Sequence, residues 1–514
     1  MKKILLCFVL ITMLLSVGLV SATDANQEGF VCPKTGGVMK INFSMPADQI
    51  GIPAYALHYN HTFYEPSLEP LMHATDEVGV YVPALATSWE YAEDKSYLDF
   101  TLREGVIFHD GSEFNAEVAK WNFEIYMDAG SPAYRAVDSV EVIGDYAIRL
   151  HLNSWDATLI NDISRGSAMI SQEAYEANGH DWALYNPVGT GAFEMVEFER
   201  EQLLRYEAFD GYWQEGLPCL DGIEYHQVPD PMTQMAMLQV GDLQALSGIP
   251  PFIVAQALEL NDDLDVQMAV GLHIVIVMNT TDSDSVWSDI RMREALEYGV
   301  DKELIVDATG FGLNHSVNEI IHSLHSAGGT PDTTPRAYDP DMSRALMAEA
   351  GYGDGISVKL TYASTMPEDA MVILQAQLAQ VGINLELDPV DAIALNQMSF
   401  EPADGSDLRI QELRGGGEPL GSAKETLSAE SLYFPGVVRP DGFQELLDEA
   451  LQTEDVATRL DLLSQAETLA YNDAIIIPLW NSPLPAVYKN TIMDAQFITG
   501  GNPISILTYT WLDE

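Results

Sequence analysis

Residues 83–126 read PALATSWEYAEDKSYLDFTLREGVIFHDGSEFNAEVAKWNFEIY. Within this stretch Leu98, Phe100 and Leu102 alternate with Asp99, Thr101 and Arg103. A period of two gives a strand one buried and one wetted face. His109-Asp110-Gly111 supplies turn chemistry, because glycine accepts positive φ and aspartate bonds its own local backbone. Asn115 can then cap a helix whose Val118, Trp121 and Ile125 fall on one face. The stretch reads strand, turn, helix, with Arg103, His109 and Asp110 serving the geometry of the turn.

Downstream, Val137 to Val142 and Tyr146 to Leu152 read as a hairpin joined at Gly144-Asp145. Pro187-Val188-Gly189-Thr190-Gly191-Ala192-Phe193 is rich in glycine but lacks the Lys-Ser/Thr ending of a phosphate loop. The run His273 to Met278 has the length of a buried strand. Asp339-Pro340 and Gly351 bracket a helix. Ile356 to Tyr362 alternates, a helix from about Glu368 to Val381 follows, and Ile383 to Leu387 alternates again, which predicts a parallel βαβ unit. Ala403 to Lys424, with three glycines at its centre, reads as loop. Phe443 to Leu451 and Val456 to Tyr471 read as amphipathic helices, and Ile475 to Trp480 as a buried strand before the prolines at 483 and 485.

Several of these stretches resemble one family. LATSWE, then Y-x-x-F-x-LR-x-GV-x-FHDG-x-x-F-x-AE, resembles the signature of the family 5 extracytoplasmic solute-binding proteins, the peptide and nickel receptors of ABC importers. PVGTGAF at 187–193, FDGYW at 209–213, DIRMREALEYGVD at 289–301 and YDPDMSRALMAEAGY at 338–352 are similar to further family patterns. The resemblance implies a bilobal α/β fold of the type II periplasmic-binding-protein kind, with an extra subdomain in the first lobe. On this reading 33–55, 185–277 and 485–514 form the first lobe, 56–184 the subdomain and 278–484 the second lobe. The lobes are expected to close on a small-molecule or peptide ligand and present it, as a monomer, to an ABC permease. A nickel chelate or an oligosaccharide is the alternative ligand, and a secreted hydrolase the alternative from another class. No nucleophile elbow, zinc-protease helix or phosphate loop is present, so no enzyme and no cofactor is expected.

Composition and address agree with that class. The chain has 514 residues, more than one hydrophobic core usually supports, and 47% of them are apolar. A net charge of −54 repels nucleic acid and anionic lipid surfaces, so no nucleic-acid partner is expected. Met1 to Ala22 reads as a signal peptide, with Lys2 and Lys3, an apolar run to Val20, and Val20-Ser21-Ala22 for cleavage. The protein is therefore expected outside the cytoplasmic membrane, periplasmic or associated with the cell surface. Cys32 and Cys219 remain after cleavage and can pair there if their strands lie in one lobe.

The site expected from the resemblance follows Arg409-Ile410-Gln411-Glu412-Leu413-Arg414-Gly415-Gly416-Gly417-Glu418-Pro419. Peptide receptors of the family hold the ligand ammonium with an aspartate that falls on Gly415 here, and their basic residue falls on Arg409. Asp404, Asp407 or Glu412 is expected to substitute for the missing carboxylate, and Arg414 to receive a ligand carboxylate through a two-pronged bond. Trp480 and Tyr433 are the aromatic candidates for the wall. No metal is expected: His58 and His61, three apart, and the group His315, His322 and His325 lack a completing ligand set.

Overall fold

The alternation at 97–102 becomes the strand Tyr97–Leu102, with Leu98, Phe100 and Leu102 all buried. It lies inside a four-stranded antiparallel sheet, between Ala86–Tyr91 and the hairpin Val137–Gly144/Ala147–Leu152. The computed structural model describes residues 30–513, apart from 44–46, 57–59, 76, 132–133, 262, 414–417 and 496–506. The signal segment, His58 and Arg414 thus lie outside the described residues. The turn after Tyr97–Leu102 grips the glycine-rich stretch at 187–193. The His109 ring meets Gly191 O at 2.9 Å, and the His109 N–H donates to Gly189 O at 2.8 Å.

Asn115 caps the helix Ala116–Asp128 by accepting from the N–H groups of Glu117 and Val118. Its fully buried face is not the one expected. Ala116, Ala119, Phe123 and Tyr126 enter the subdomain core, while Trp121 and Ile125 are half-buried against the first lobe. The helix is apolar on two sides because it is packed between two cores.

A single mixed sheet of eleven strands organises the rest. One end holds Phe193–Glu199, Leu203–Ala208, Gly222–His226, Val38–Phe43 and Ala245–Ser247; the other holds Leu408–Leu413, Ile356–Ala363 and Ile383–Val390. Between them run two long strands, Leu264–Met278 of 15 residues and Ile477–Lys489 of 13. Val266 faces Val487 in the first-lobe half, and Ile274 faces Trp480 and Glu412 in the second-lobe half. The ladder between the long strands slips between Ala269 and Leu272. The two crossing strands, irregular here, form the hinge region between the two ends of the sheet. Gly271 explains the site: a Cβ on it would lie 2.0 Å from Ser482 O, so only glycine lets the strands approach this closely.

The predicted βαβ unit is present, Ile356–Ala363 pairing in parallel with Ile383–Val390 across the helix Glu368–Gln380. The loop expected over Ala403 to Lys424 is not. Leu408–Leu413 is an interior strand with Arg409 and Gln411 buried, and Pro419–Leu427 is a helix. Their polarity hid the strand, because the buried polar groups are bonded locally: Gln411 meets Ser399 Oγ at 3.0 Å and Arg409 meets main-chain carbonyls.

Cys32 and Cys219 form a disulfide with their Cα atoms 5.5 Å apart. After the second crossing strand the chain returns to the first lobe, where Leu507 and Leu512 join the core of Met39, Ile41 and Tyr206. Among the described residues no helix is long and apolar enough to cross a membrane.

Candidate functional site

Two surfaces of the second lobe meet the first lobe and its subdomain away from the hinge. On one side the helix Pro251–Leu260 of the first lobe brings the Phe252 ring within 6.3 Å of Phe311, and Leu313 packs against the same first-lobe core. On the other side the subdomain segment 155–165 lies on the helices Pro419–Leu427, Phe443–Leu451 and Val456–Asn472. Ala157 donates its N–H to Leu451 O at 2.8 Å, and Gln452 Nε2 donates to Trp155 O at 2.8 Å. Trp155 and Ala157 are packed into the second-lobe core itself. The seam between subdomain and second lobe is thus part apolar, part hydrogen-bonded.

Charge is concentrated in this seam. Lys424 Nζ crosses it to donate to Asp156 Oδ2 at 2.8 Å and to Thr158 Oγ1 at 2.9 Å. Burial works against the Asp156 carboxylate, but Lys424 and the bonds from Thr158 outweigh it and hold its pKa below the ordinary range. Further on, the Asp162 carboxylate has, among the described residues, a single 3.2 Å bond from Thr158, and burial pushes it up to about 7 despite Lys424. Burial lowers the Arg165 pKa, while the charges of Asp162 and Glu418 hold it up. Glu418 caps the helix Pro419–Leu427 by accepting from Gly421 N at 2.5 Å. Burial raises its pKa, opposed by that bond and by Arg459. Acids and bases from both bodies therefore share one poorly solvated seam, which can hold a polar solute by several ionic contacts at once.

The residues expected from sequence separate into two groups. Arg409 donates to the carbonyls of Met398, Glu401 and Pro402, so its guanidinium ties down the end of the helix Ala392–Met398. Tyr433 braces the same turn, its ring 4.9 Å from that of Phe400. Glu412 and Trp480 form the second group, on either side of Ile274, with Glu412 half-buried and Trp480 packed in the second-lobe core. Arg414 lies between these groups in sequence and outside the described residues. Of the proposed substitutes, Asp407 accepts from Lys359 N at 3.1 Å, and Asp404 acts on Arg409. His322 is fully buried, bonded to Gly271 O and Ser323, and its ring lies 4.2 Å from that of His273. Among the described residues no group of three His, Cys, Asp or Glu side chains has the arrangement to hold a metal ion. Sequence reading missed Asp156, Asp162, Arg165, Lys424 and Arg459. Their spacing carries no signal, since only the folded chain brings residues 268 positions apart together at Lys424–Asp156.

The profile described as "Bacterial extracellular solute-binding proteins, family 5 Middle" matches residues 80–404. The chain belongs to this family. It is an extracytoplasmic substrate-binding protein of the ABC importer type, with the bilobal type II fold. It is 29% identical over 429 residues to the glutathione-binding protein GsiB of Escherichia coli (strain K12), covering 79% of this chain and 82% of that one. Its fold is similar to that of the ABC transporter-associated periplasmic binding protein DppA from Helicobacter pylori, solved in complex with peptide STSA. There the TM-score is 0.78 at 20% identity, covering 94% of this chain and 99% of that one. NikA from Brucella suis, solved in complex with Fe(III)-EDTA, is similar at a TM-score of 0.78 and 22% identity, covering 90% and 98%. The family and these relatives are binding proteins.

Proposed function

We propose that this family 5 receptor captures a small peptide-type solute between its lobes and hands it, as a monomer outside the cytoplasmic membrane, to an ABC permease without altering it. The observation that carries the reading is the seam itself. Lys424 of the second lobe is bonded to Asp156 and Thr158 of the subdomain, so the lobes meet through charged groups with Asp162, Arg165 and Glu418 beside them. Closure then depends on contacts that a ligand can add to, and the shut form gains stability by the difference between what the ligand contacts open and closed. The expected site residues Arg409, Glu412, Tyr433 and Trp480 remain candidates for the wall, and Arg414 lies outside the described residues.

The test is a thermal-shift comparison of reduced glutathione, the peptide STSA and Fe(III)-EDTA. A ligand that binds only the folded chain at 100 times its Kd adds about 2.7 kcal/mol and raises Tm. A rise with glutathione or STSA, and chromatography showing the compound intact afterwards, is the expected result. A rise with the chelate alone transfers the reading to a metal-chelate receptor. Consumption of the bound compound would replace it by a hydrolase.

A further inference from the structure

Among the described residues three arginines are more than nine-tenths buried: Arg293 at 3% exposure, Arg459 at 7% and Arg409 just inside that limit at 9%. Two of them are bonded to the protein. Arg293 donates to the carbonyls of Trp287, Ser288 and Asp473 and to the Asp473 carboxylate at 3.1 Å. Arg409 donates to three carbonyls. The side chain of Arg459, on the first turn of the helix Val456–Asn472, makes no hydrogen bond and no ion pair within 4 Å among the described residues. A guanidinium carries five donors and cannot shed its proton, so with no protein acceptor in reach these donors are open to an acceptor that enters the seam.

Its surroundings belong to both sides of the seam. Gly79 of the subdomain comes so close that a Cβ there would sit 3.0 Å from Val456 Cγ2 and 3.7 Å from Arg459 Nη2. The charged and titratable groups acting on Arg459 are Glu418 and Asp455 of the second lobe and Tyr81 of the subdomain. Asp455 spends its carboxylate capping the helix, on Thr458 N at 2.8 Å and Thr458 Oγ1 at 2.6 Å. Glu418 gives its Oε2 to Gly421 N and makes no ion pair with Arg459 within 4 Å. Burial keeps the Tyr81 phenol protonated, so it remains a donor. The place therefore presents donors without a matched acceptor, between two bodies that come together.

We propose that Arg459 receives a carboxylate of the ligand at the seam of subdomain and second lobe, with the Tyr81 hydroxyl beside it. The ligand's class is then a small solute bearing a free carboxylate, read from both lobes: a two-pronged bond to the second-lobe guanidinium and a donor from the subdomain. This deepens the receptor reading and rests on it for the choice of ligand. The unmet guanidinium can be tested without any ligand.

Two measurements on the full chain decide it. In the first, ligand-free Arg459→Met and Arg293→Met are compared by thermal unfolding. Arg459→Met is expected to leave Tm unchanged or raise it, because it breaks no side-chain bond, while Arg293→Met lowers Tm by several degrees. An equal drop in both variants overturns the proposal by showing that Arg459 is already satisfied. In the second, calorimetry compares reduced glutathione with its diethyl ester, and STSA with its C-terminal amide. The wild type is expected to bind the acids at least tenfold tighter than the masked forms, Arg459→Met to erase the difference, and Arg459→Lys to restore part of it. A preference for the acids that survives Arg459→Met overturns the proposal. If the wild type binds none of the four compounds, the peptide-type reading falls, and the Tm comparison alone decides for or against the unmet guanidinium.

Discussion

Two buried charge networks in this molecule are built from the same residue types and end differently. Inside the second lobe, Glu297 is 1% exposed, accepts from Lys302 at 2.9 Å and Tyr471 at 3.2 Å on one oxygen, and from Arg336 at 3.1 Å on the other. Arg336 also bonds Tyr471 O and Asn472 O, and Lys302 bonds Asn318. At the seam, by contrast, among the described residues the Asp162 side chain has one long bond and the Arg459 side chain none. A charge network closed within one body is architecture, since its desolvation is offset at folding and its geometry never changes. A network split across two bodies and left incomplete is available to a third party.

The contrast can be broken at its strong end first. Glu297→Ala would leave Lys302 and Arg336 buried without their shared counter-charge. It should lose about 3–5 kcal/mol in urea unfolding; a loss under about 1 kcal/mol would show that the inner network is not the tighter of the two. The disulfide offers a covalent comparison, because it closes a chain separation of 187 residues within the first lobe. Cys219→Ser should lose about 2–5 kcal/mol, with no further change when reductant is added.

Protonation sharpens the comparison. Asp162 is raised to about 7, chiefly by burial, and Glu69 and Glu467 are raised to about 7 for the same first cause. Folded carboxyls that keep their protons above the unfolded value near 4 bind more protons than the unfolded chain does. Their contribution to stability is therefore full below about pH 4 and is lost as pH rises through about 7. Stability should fall from pH 5 to pH 8, and Asp162→Asn should remove part of that fall, read as the urea midpoint at the two pH values. An identical fall in the variant would exclude Asp162 as a source. The smallest effect is expected at Lys424, whose side chain is 37% exposed. Lys424→Met should change folding stability by about 1 kcal/mol or less after allowance for solvent screening. It should weaken ligand affinity more visibly, because the bond to Asp156 forms only when the bodies meet.

Much of the fold was legible because its elements obey one-dimensional rules. Leu98, Phe100 and Leu102 alternate and are buried; Asn115, Asp339 and Asp455 cap the helices they precede. Where a rule was broken the reading failed. Leu408–Leu413 carries Arg409 and Gln411 inward on an interior strand, which no alternation of apolar and polar residues predicts. The helix Ala116–Asp128 serves two cores, so its buried face could not be chosen from one stripe. The seam was illegible for a different reason. Asp156, Lys424 and Arg459 are ordinary surface residue types, and their meeting is a property of how two bodies approach. Arg409 was singled out by resemblance, and its three carbonyl partners lie 11, 8 and 7 residues before it, in a turn that no periodicity marks.

The two long strands run without interruption from one lobe's sheet into the other's, and Gly271 lets them nearly touch where the ladder slips. The molecule thus has no slack tether between its halves; it has a torsion bar made of main chain. Rotation of one half must be taken up as altered twist along rungs such as Val266–Val487, on the far side of the fulcrum. A probe bonded near Lys489, well away from the solute, should therefore register its arrival.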